Sequence, residues 1–349
     1  MPVIYYRLVP FLLLLCISSA CKKSADLPSD PLTIGNRTEL PLKVIYSKQS
    51  VTPVISVKIN GVDNDLLFDT GSSGIRILGG ALKGANVNVD AKQVTYRLGD
   101  SKSNTLIKGR QASGTVSVGG LSSDGPLQLM LIDTITHSWT SRVTSTVDSV
   151  VVKGEFRNLA GLFGVDMRYA SGSTIASPLA QLSGNHSYLV RFPQFGQPVG
   201  QLVVNPTASD LTGFTFFSLT PGATPLPNGL HSWVTDQLNG MMIIDGRLIQ
   251  AHTILDTGNP ASMAFAPNLT GQGILAPGTV LKLGIGLPGR TTTLIDTTFR
   301  VTEQVAGRDL VYTNESTQAN AFLSFGTDFF FAFDVYYDQE GGRIGFRKK

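Results

Sequence analysis

The stretch LFDTGS at residues 67–72 has a near copy, ILDTGN, at residues 254–259. In each copy an aspartate, Asp69 or Asp256, ends an apolar run and is followed by a hydroxyl residue and a glycine. The copies lie about half of the 349-residue chain apart, one in each half. A short apolar run is typical of a buried strand, and the glycine is typical of a turn. We therefore interpret the copies as strand-ending loops of two lobes, which present their carboxylates to one shared site.

The residues around both copies follow the alternating pattern of β-strands. Ile55, Val57 and Ile59 alternate with polar residues, which predicts a strand with one buried face. Comparable patterns predict strands at residues 115–118, 127–132, 188–192, 201–204, 215–219, 241–244, 280–283, 291–295 and 335–337. The sequence therefore predicts an all-β protein.

Only two short helices are predicted. Ser177 followed by Pro178 is typical of an N-cap and a first helical position, which predicts a helix through Leu182. Thr327 or Asp328 is expected to cap the second helix, ahead of the phenylalanine-rich residues that follow.

A short apolar stretch that ends in glycine follows each aspartate. GLFG lies at residues 161–164 and LSFG at residues 323–326. Because glycine lets two backbones approach closely, each stretch is expected to pass beside the Asp-Thr-Gly loop of its own half. The same order in both halves indicates an internal duplication.

The composition excludes several classes of protein. Charged residues make up 15% of the chain and hydrophobic residues 42%, with 37 glycines, which is typical of a folded, turn-rich protein. The formal net charge is +3 and basic residues cluster only at the two ends, so we predict no nucleic-acid partner. The four histidines are scattered, so we predict no metal site and no cofactor. GIGLPG at residues 284–289 matches a dinucleotide-binding pattern, but it leads into a threonine-rich strand, and we interpret it as a hairpin turn.

The N-terminal residues have the pattern of an export signal. A basic residue precedes the apolar run 8–17, and small residues lead to Cys21. This pattern predicts a lipoprotein signal peptide at residues 1–21, lipidation of Cys21, and a polar tether at residues 22–40. We expect the lipid to anchor the protein at the bacterial outer membrane, on the periplasmic or the surface-facing side. An ordinary secretory signal, cut just before Cys21, is the alternative.

Five stretches, taken together and in this order, resemble the pepsin-like, two-lobed aspartic proteases. They are FDTGSSG at 68–74, GTVSVGG at 114–120, GLFG at 161–164, ILDTG at 254–258 and FGTDFFFAFDVYYDQEGGRIGF at 325–346. The resemblance spans roughly residues 50–349. It implies an all-β, bilobal fold of two pseudo-symmetric β-barrel-like lobes around a central active-site cleft. The N-terminal lobe would comprise residues 41–205 with Asp69, and the C-terminal lobe residues 206–349 with Asp256.

The resemblance implies an aspartic endopeptidase that hydrolyses extended polypeptides as a monomer, with no metal. Two carboxylates held close together cannot both ionise easily, so one proton is shared between them. One carboxylate can then take a proton from a bound water while the other polarises the peptide carbonyl group. We assign these roles to Asp69 and Asp256 jointly and leave open which of them holds the proton. A mildly acidic pH optimum is expected.

The resemblance also implies residues that support the two aspartates. Thr70 and Thr257 would form a buried hydroxyl-to-backbone grip between the loops. The glycines of the two loops, Gly71 and Gly258, would permit the tight turns and donate backbone N–H groups to the carboxylates. Ser72 and Asn259 directly follow these two glycines in the chain. Ser72 would hydrogen-bond its aspartate, and Asn259 stands where the family usually has Ser or Thr, with an amide that could still donate.

The flap, a hairpin that covers the cleft in the family, departs from the family pattern. Tyr96 stands where the family has its substrate-binding flap tyrosine, but residues 97–108 make the following segment longer and more polar. Arg76 stands where the family commonly has a tryptophan that bonds this tyrosine. These departures leave an alternative open, which is a catalytically inactive pepsin-like binding or inhibitor protein at the cell surface.

Overall fold

β-Strands account for nearly all of the regular structure, as the alternating pattern predicts. The computed structural model describes residues 36–99, 104–137, 143–145, 156–169, 173–267, 269, 273–315 and 321–349. The predicted signal peptide, the lipidation site Cys21 and residues 22–35 of the predicted tether lie outside the described residues.

In the described part of the first half, the strands are β1 (Thr38–Tyr46), β2 (Val51–Ile59), β3 (Val62–Asp69), β4 (Ser73–Leu78), β5 (Asn88–Gly99), β6 (Asn104–Gly114), β7 (Val116–Val118), β8 (Leu121–Ser122), β9 (Leu127–His137), β10 (Val143–Ser145), β11 (Gly161–Val165), β12 (Ser187–Arg191) and β13 (Val199–Val204). In the described part of the second half, they are β14 (Thr215–Ser218), β15 (Thr220–Pro221), β16 (Trp233–Val234), β17 (Leu238–Ile244), β18 (Arg247–Leu255), β19 (Ser262–Ala266), β20 (Gly273–Ile274), β21 (Val280–Gly286), β22 (Thr293–Arg300), β23 (Val311–Glu315), β24 (Phe322–Phe325), β25 (Phe333–Asp338) and β26 (Arg343–Lys348). Among the described residues, the helical segments are the 3₁₀ turns Gly79–Leu82 and Leu179–Gln181 and the α-helix α1 (Thr327–Ala332).

Two large sheets contain most of these strands. The first has sixteen strands, thirteen of them in the order β14-β26-β25-β12-β13-β1-β2-β3-β11-β4-β9-β6-β5. The second has eight strands, in the order β20-β23-β19-β24-β18-β17-β21-β22. The strands β14, β25 and β26 belong to the second half of the chain, yet they join the first sheet because β25 pairs with β12. The lobe boundary at residues 205/206 stays a prediction.

The predicted tether, residues 22–40, overlaps the first sheet. β1 begins at Thr38, and Leu40 is buried and lies opposite Leu202 of β13. The reason is the alternation of Leu40, Leu42 and Val44, which places all three side chains in the core. Residues 38–40 of the predicted tether are therefore part of the first sheet.

The two halves repeat one arrangement around their Asp-Thr-Gly loops. β3 runs parallel to β11, with Asp69 opposite Gly164, and β18 runs parallel to β24, with Leu255 opposite Phe325. A β-carbon on Gly164 would lie 2.6 Å from the carbonyl oxygen of Ser72, and one on Gly326 would lie 2.5 Å from the carbonyl carbon of Ala261. The predicted close approach of both glycine-ending stretches is confirmed.

The helices differ in detail from the prediction. The segment predicted to open at Ser177 forms only the 3₁₀ turn Leu179–Gln181. α1 has Gly326 as its N-cap, because the Thr327 hydroxyl donates to the carbonyl oxygen of Pro260 at 2.9 Å and Asp328 accepts a hydrogen bond from Ser262 at 2.8 Å. The side chains of Thr327 and Asp328 therefore form hydrogen bonds with neighbouring segments instead of capping α1 as predicted.

The GIGLPG stretch forms a hairpin connection, as predicted. Gly284 and Gly286 lie in β21, which pairs antiparallel with β22. Within the described ranges, no helix has both the length and the apolar character needed to cross a membrane.

Candidate active site

The fold brings the two Asp-Thr-Gly loops into contact. A β-carbon placed on Gly258 would lie 3.0 Å from Oδ1 of Asp256 and 3.0 Å from Oδ1 of Asp69. A β-carbon placed on Gly71 would lie 2.6 Å from Cγ of Asp256. Each loop therefore needs its glycine, since a side chain there would collide with the opposite carboxylate.

The two threonines join the loops by reciprocal hydrogen bonds. The Thr70 hydroxyl donates to the carbonyl oxygen of Leu255 at 2.9 Å and accepts from the backbone N–H of Thr257 at 3.1 Å. The Thr257 hydroxyl donates to the carbonyl oxygen of Phe68 at 2.8 Å and accepts from the backbone N–H of Thr70 at 3.0 Å. Both threonine side chains are buried. Each loop is thus held by the other half of the chain.

The two carboxylates have different hydrogen-bond partners. Asp69 is buried and accepts from the backbone N–H of Gly71 at 2.7 Å and from the hydroxyl of Ser72 at 2.6 Å. Asp256 accepts from the backbone N–H of Asn259 at 3.2 Å. The Asn259 side-chain amide turns away and donates to the hydroxyl of Ser324 at 3.4 Å, so the predicted donation to the aspartate comes from the backbone instead.

The surroundings of Asp256 favour its protonated form. Burial, the charge of Asp69 and a hydrogen bond with Asp69 together raise the pKa of Asp256 well above its usual value. The backbone N–H of Gly258 and the charge of Arg157 act in the opposite direction. The sequence left the position of the proton open, because burial on the two sides of the pair is a tertiary property.

Two arginines that the sequence analysis did not identify hold the loops from outside. Arg168 donates to the carbonyl oxygen of Gly71 at 2.9 Å, and Arg157 donates to the carbonyl oxygen of Gly258 at 2.6 Å. Arg168 is held in turn by ion pairs with Asp166 and Asp236. Neither arginine belongs to a recognisable motif, and only the folded chain brings them to the loops.

Tyr96 and Arg76 are stacked on each other. The Cζ atom of Arg76 lies 3.2 Å from the centre of the Tyr96 ring, which is a cation–π contact. Tyr96 lies in β5, opposite Ile107 in β6. The extra residues predicted at 97–108 continue this pairing, with Arg97 opposite Leu106 and Gly99 opposite Asn104, so in the described part they lengthen the hairpin.

Metal-ligating side chains do not gather in the described part of the chain. Across the described ranges, no group of three or more His, Cys, Asp or Glu side chains is arranged to hold a metal ion.

Comparison with known proteins supports the fold. Neither a family model nor a curated protein matches the sequence. Among solved structures, the chain is similar to the crystal structure of an aspartic proteinase from Irpex lacteus, with 17% sequence identity and a TM-score of 0.53. The match covers 89% of this chain and 98% of the other. At this low identity the likeness shows the fold, which is the bilobal, all-β fold of pepsin-like aspartic proteinases.

Proposed function

We propose that this chain is an aspartic endopeptidase, in which a water activated between Asp69 and Asp256 hydrolyses peptide bonds of polypeptides. One observation carries the proposal. The loops of the two halves are joined by four threonine hydrogen bonds, and both carboxylates lie against Gly258, where a β-carbon would be 3.0 Å from Oδ1 of each aspartate. The raised pKa of Asp256 adds the shared proton that the chemistry needs.

The proposed reaction uses the two aspartates in different protonation states. The ionised carboxylate of the pair takes a proton from the water, while the protonated one donates a hydrogen bond to the substrate carbonyl oxygen. The water oxygen forms a bond to the carbonyl carbon and gives a tetrahedral intermediate. The C–N bond then breaks, the departing nitrogen receives the proton that the ionised carboxylate took from the water, and the products are a carboxylic acid and an amine. No covalent enzyme intermediate forms.

The substrate in this proposal is an extended segment of polypeptide. The β5–β6 hairpin carries Tyr96, which lines a cavity next to Ser72, the residue that donates to Asp69. An extended peptide in such a cleft would be held mainly through its backbone hydrogen bonds, with side chains in pockets on alternate sides.

Proteolysis of an unfolded protein substrate tests the proposal. The purified full-length chain is assayed from pH 3 to 8, with and without pepstatin. We expect pepstatin-sensitive cleavage with an acidic optimum. Asp69→Asn and Asp256→Asn should each lower kcat by about 10²- to 10⁴-fold, the range for removing general acid–base catalysis. Asp63→Asn, at an exposed position of β3, is the matched control and should leave cleavage unchanged.

Two outcomes would contradict the proposal. Cleavage that is undiminished at pH 8 and above would exclude a shared proton. A folded sample without cleavage at any pH would favour the alternative of a catalytically inactive binding or inhibitor protein on the same scaffold.

A further inference from the structure

A cavity of about 840 Å³ lies beside the first aspartate loop. Ser72, which donates to Asp69, lines this cavity, as do Arg76 and Tyr96. The second half of the chain contributes residues 232–234, Asp236 and Gln237. Its position next to Asp69 means that a residue of a bound polypeptide near the reacting bond would place its side chain there.

Arg76 is a buried cation without a direct ion pair in the described chain. Its side chain is only 4% exposed. Within the described ranges its guanidinium forms one hydrogen bond, from Nη1 to the carbonyl oxygen of Gly74 at 3.3 Å, and its Nε has no partner. A guanidinium carries five N–H donors, so most of this donor capacity is unused. A buried charge of this kind is costly unless an anion completes its hydrogen bonds.

The other charged groups around the cavity leave Arg76 available. Arg168 also lines the cavity, but Asp166, Asp236 and the carbonyl oxygen of Gly71 already accept its hydrogen bonds. Lys92 is exposed at the cavity and adds a second positive charge. Asp236 is the only carboxylate among the described lining residues, and it is engaged with Arg168. Asp69 lies outside the lining and acts on Arg76 through its negative charge, with no direct ion pair, so the unmatched charge of the lining itself is positive.

We propose that this cavity is a subsite for a carboxylate of the substrate, bound by the Arg76 guanidinium with Lys92 at its edge. The planar guanidinium fork matches the two oxygens of a carboxylate and favours it strongly over an uncharged amide of the same shape. The proposal rests on the proposed function for the identity of the ligand, a polypeptide. The subsite adds a preference for a substrate that places an acidic side chain, or a free C-terminal carboxylate, in the cavity beside Ser72.

Peptides that differ at a single position test the preference on the unmodified full-length chain. Each position near the cleaved bond carries Glu, Gln or Leu in turn, at pH 5, where a glutamate side chain is mostly ionised. We expect kcat/KM for Glu to exceed that for Gln by about 10- to 100-fold at one position, the factor for a hydrogen bond to a charged group. Equal values for Glu and Gln at every position would overturn the proposal. Further peptides end at this position, either with a free C-terminal carboxylate or with an amide. They show whether the carboxylate that binds Arg76 comes from a chain terminus or from a side chain.

Substitution of Arg76 identifies the residue responsible. Arg76→Gln should reduce the Glu-to-Gln ratio to near one, and Arg76→Lys, which retains the charge without the fork, should give an intermediate ratio. Arg300→Gln is the matched control, since Arg300 is exposed on β22, and it should keep the ratio of the unmodified chain. Arg76→Gln could instead lower kcat/KM equally for all peptides and leave the Glu-to-Gln ratio unchanged. Arg76 would then affect only the reaction at Asp69, and the proposed subsite would be overturned.

A binding measurement separates failure of this proposal from failure of the proposed function. The Asp256→Asn chain is titrated with the Glu and Gln peptides by calorimetry. Tighter binding of the Glu peptide, lost on adding Arg76→Gln, supports the subsite even if no variant or unmodified chain cleaves a peptide. Cleavage without any Glu preference in binding or in kcat/KM rejects the subsite and leaves the endopeptidase proposal in place.

Discussion

At the scale of single residues, the threonine hydroxyls are the clearest case of one group serving two chain segments. Thr70→Val keeps the shape of the side chain but leaves the carbonyl oxygen of Leu255 and the backbone N–H of Thr257 without partners. An unsatisfied buried group costs about 1–3 kcal/mol, so we expect the free energy of unfolding to fall by about 2–6 kcal/mol. Denaturant unfolding measures the change.

The matched control for that substitution is Thr70→Ser. The serine hydroxyl can form the same two hydrogen bonds, so only the methyl group is lost, at a cost of about 1 kcal/mol. Equal stability of the valine and serine variants would show that the hydroxyl bridge contributes nothing to the folded state.

At the scale of elements, α1 contains a buried carboxyl group that makes stability depend on pH. Burial is the main cause that raises the pKa of Asp328 from 3.8 to about 7, although Ser262 donates to it. Between these values the folded chain holds a proton that the unfolded chain has released, so the free energy of unfolding falls as the pH rises from about 4 to 7. The total loss is on the order of 4 kcal/mol. Asp328→Asn, neutral at every pH, should match the unmodified chain near pH 4 and be more stable at pH 8.

Thermal unfolding of both chains at pH 4, 6 and 8 measures this difference. Asp63→Asn, an exposed aspartate, should follow the unmodified chain at all three values. An Asp328→Asn chain that loses as much stability between pH 4 and pH 8 as the unmodified chain would contradict the assignment.

At the scale of the whole molecule, Arg157 connects three distant segments. It is 101 residues from Gly258 in the chain and also donates to the carbonyl oxygen of Val51 at 2.6 Å. Its positive charge lowers the pKa of Asp256, so Arg157→Gln should move the alkaline limb of the kcat/KM profile to higher pH. Each charged hydrogen bond that is lost should lower the free energy of unfolding by about 1.5–3 kcal/mol.

Arg157→Lys separates these two effects. It keeps the charge but not the fork, so the alkaline limb should stay in place while stability still falls. A pH profile of Arg157→Gln that coincides with that of the unmodified chain would show that the charge of Arg157 does not reach the aspartate pair.

The amino-acid sequence by itself determined the strand class, the duplicated loops and the hydroxyl and glycine residues of the candidate site. These signals are local. An apolar run that ends in Asp-Thr-Gly can be recognised from six consecutive residues, and its second copy predicts one such loop in each half of the chain. The anchor at Cys21 also stays a prediction from a local pattern. The β1 boundary and the α1 cap were predicted less well, because contacts with other segments decide where an element begins and ends.

Only the tertiary structure decided what surrounds the two loops. It placed Arg168 and Arg157 on the carbonyl oxygens of Gly71 and Gly258, 97 and 101 residues away, and Arg76 against the ring of Tyr96. It also raised the pKa of Asp256, through burial and the nearby charge of Asp69. The physical reason is common to all of these features. Burial, charge and hydrogen-bond partners depend on which distant strands pack together, and no pattern of neighbouring residues in the chain contains that information.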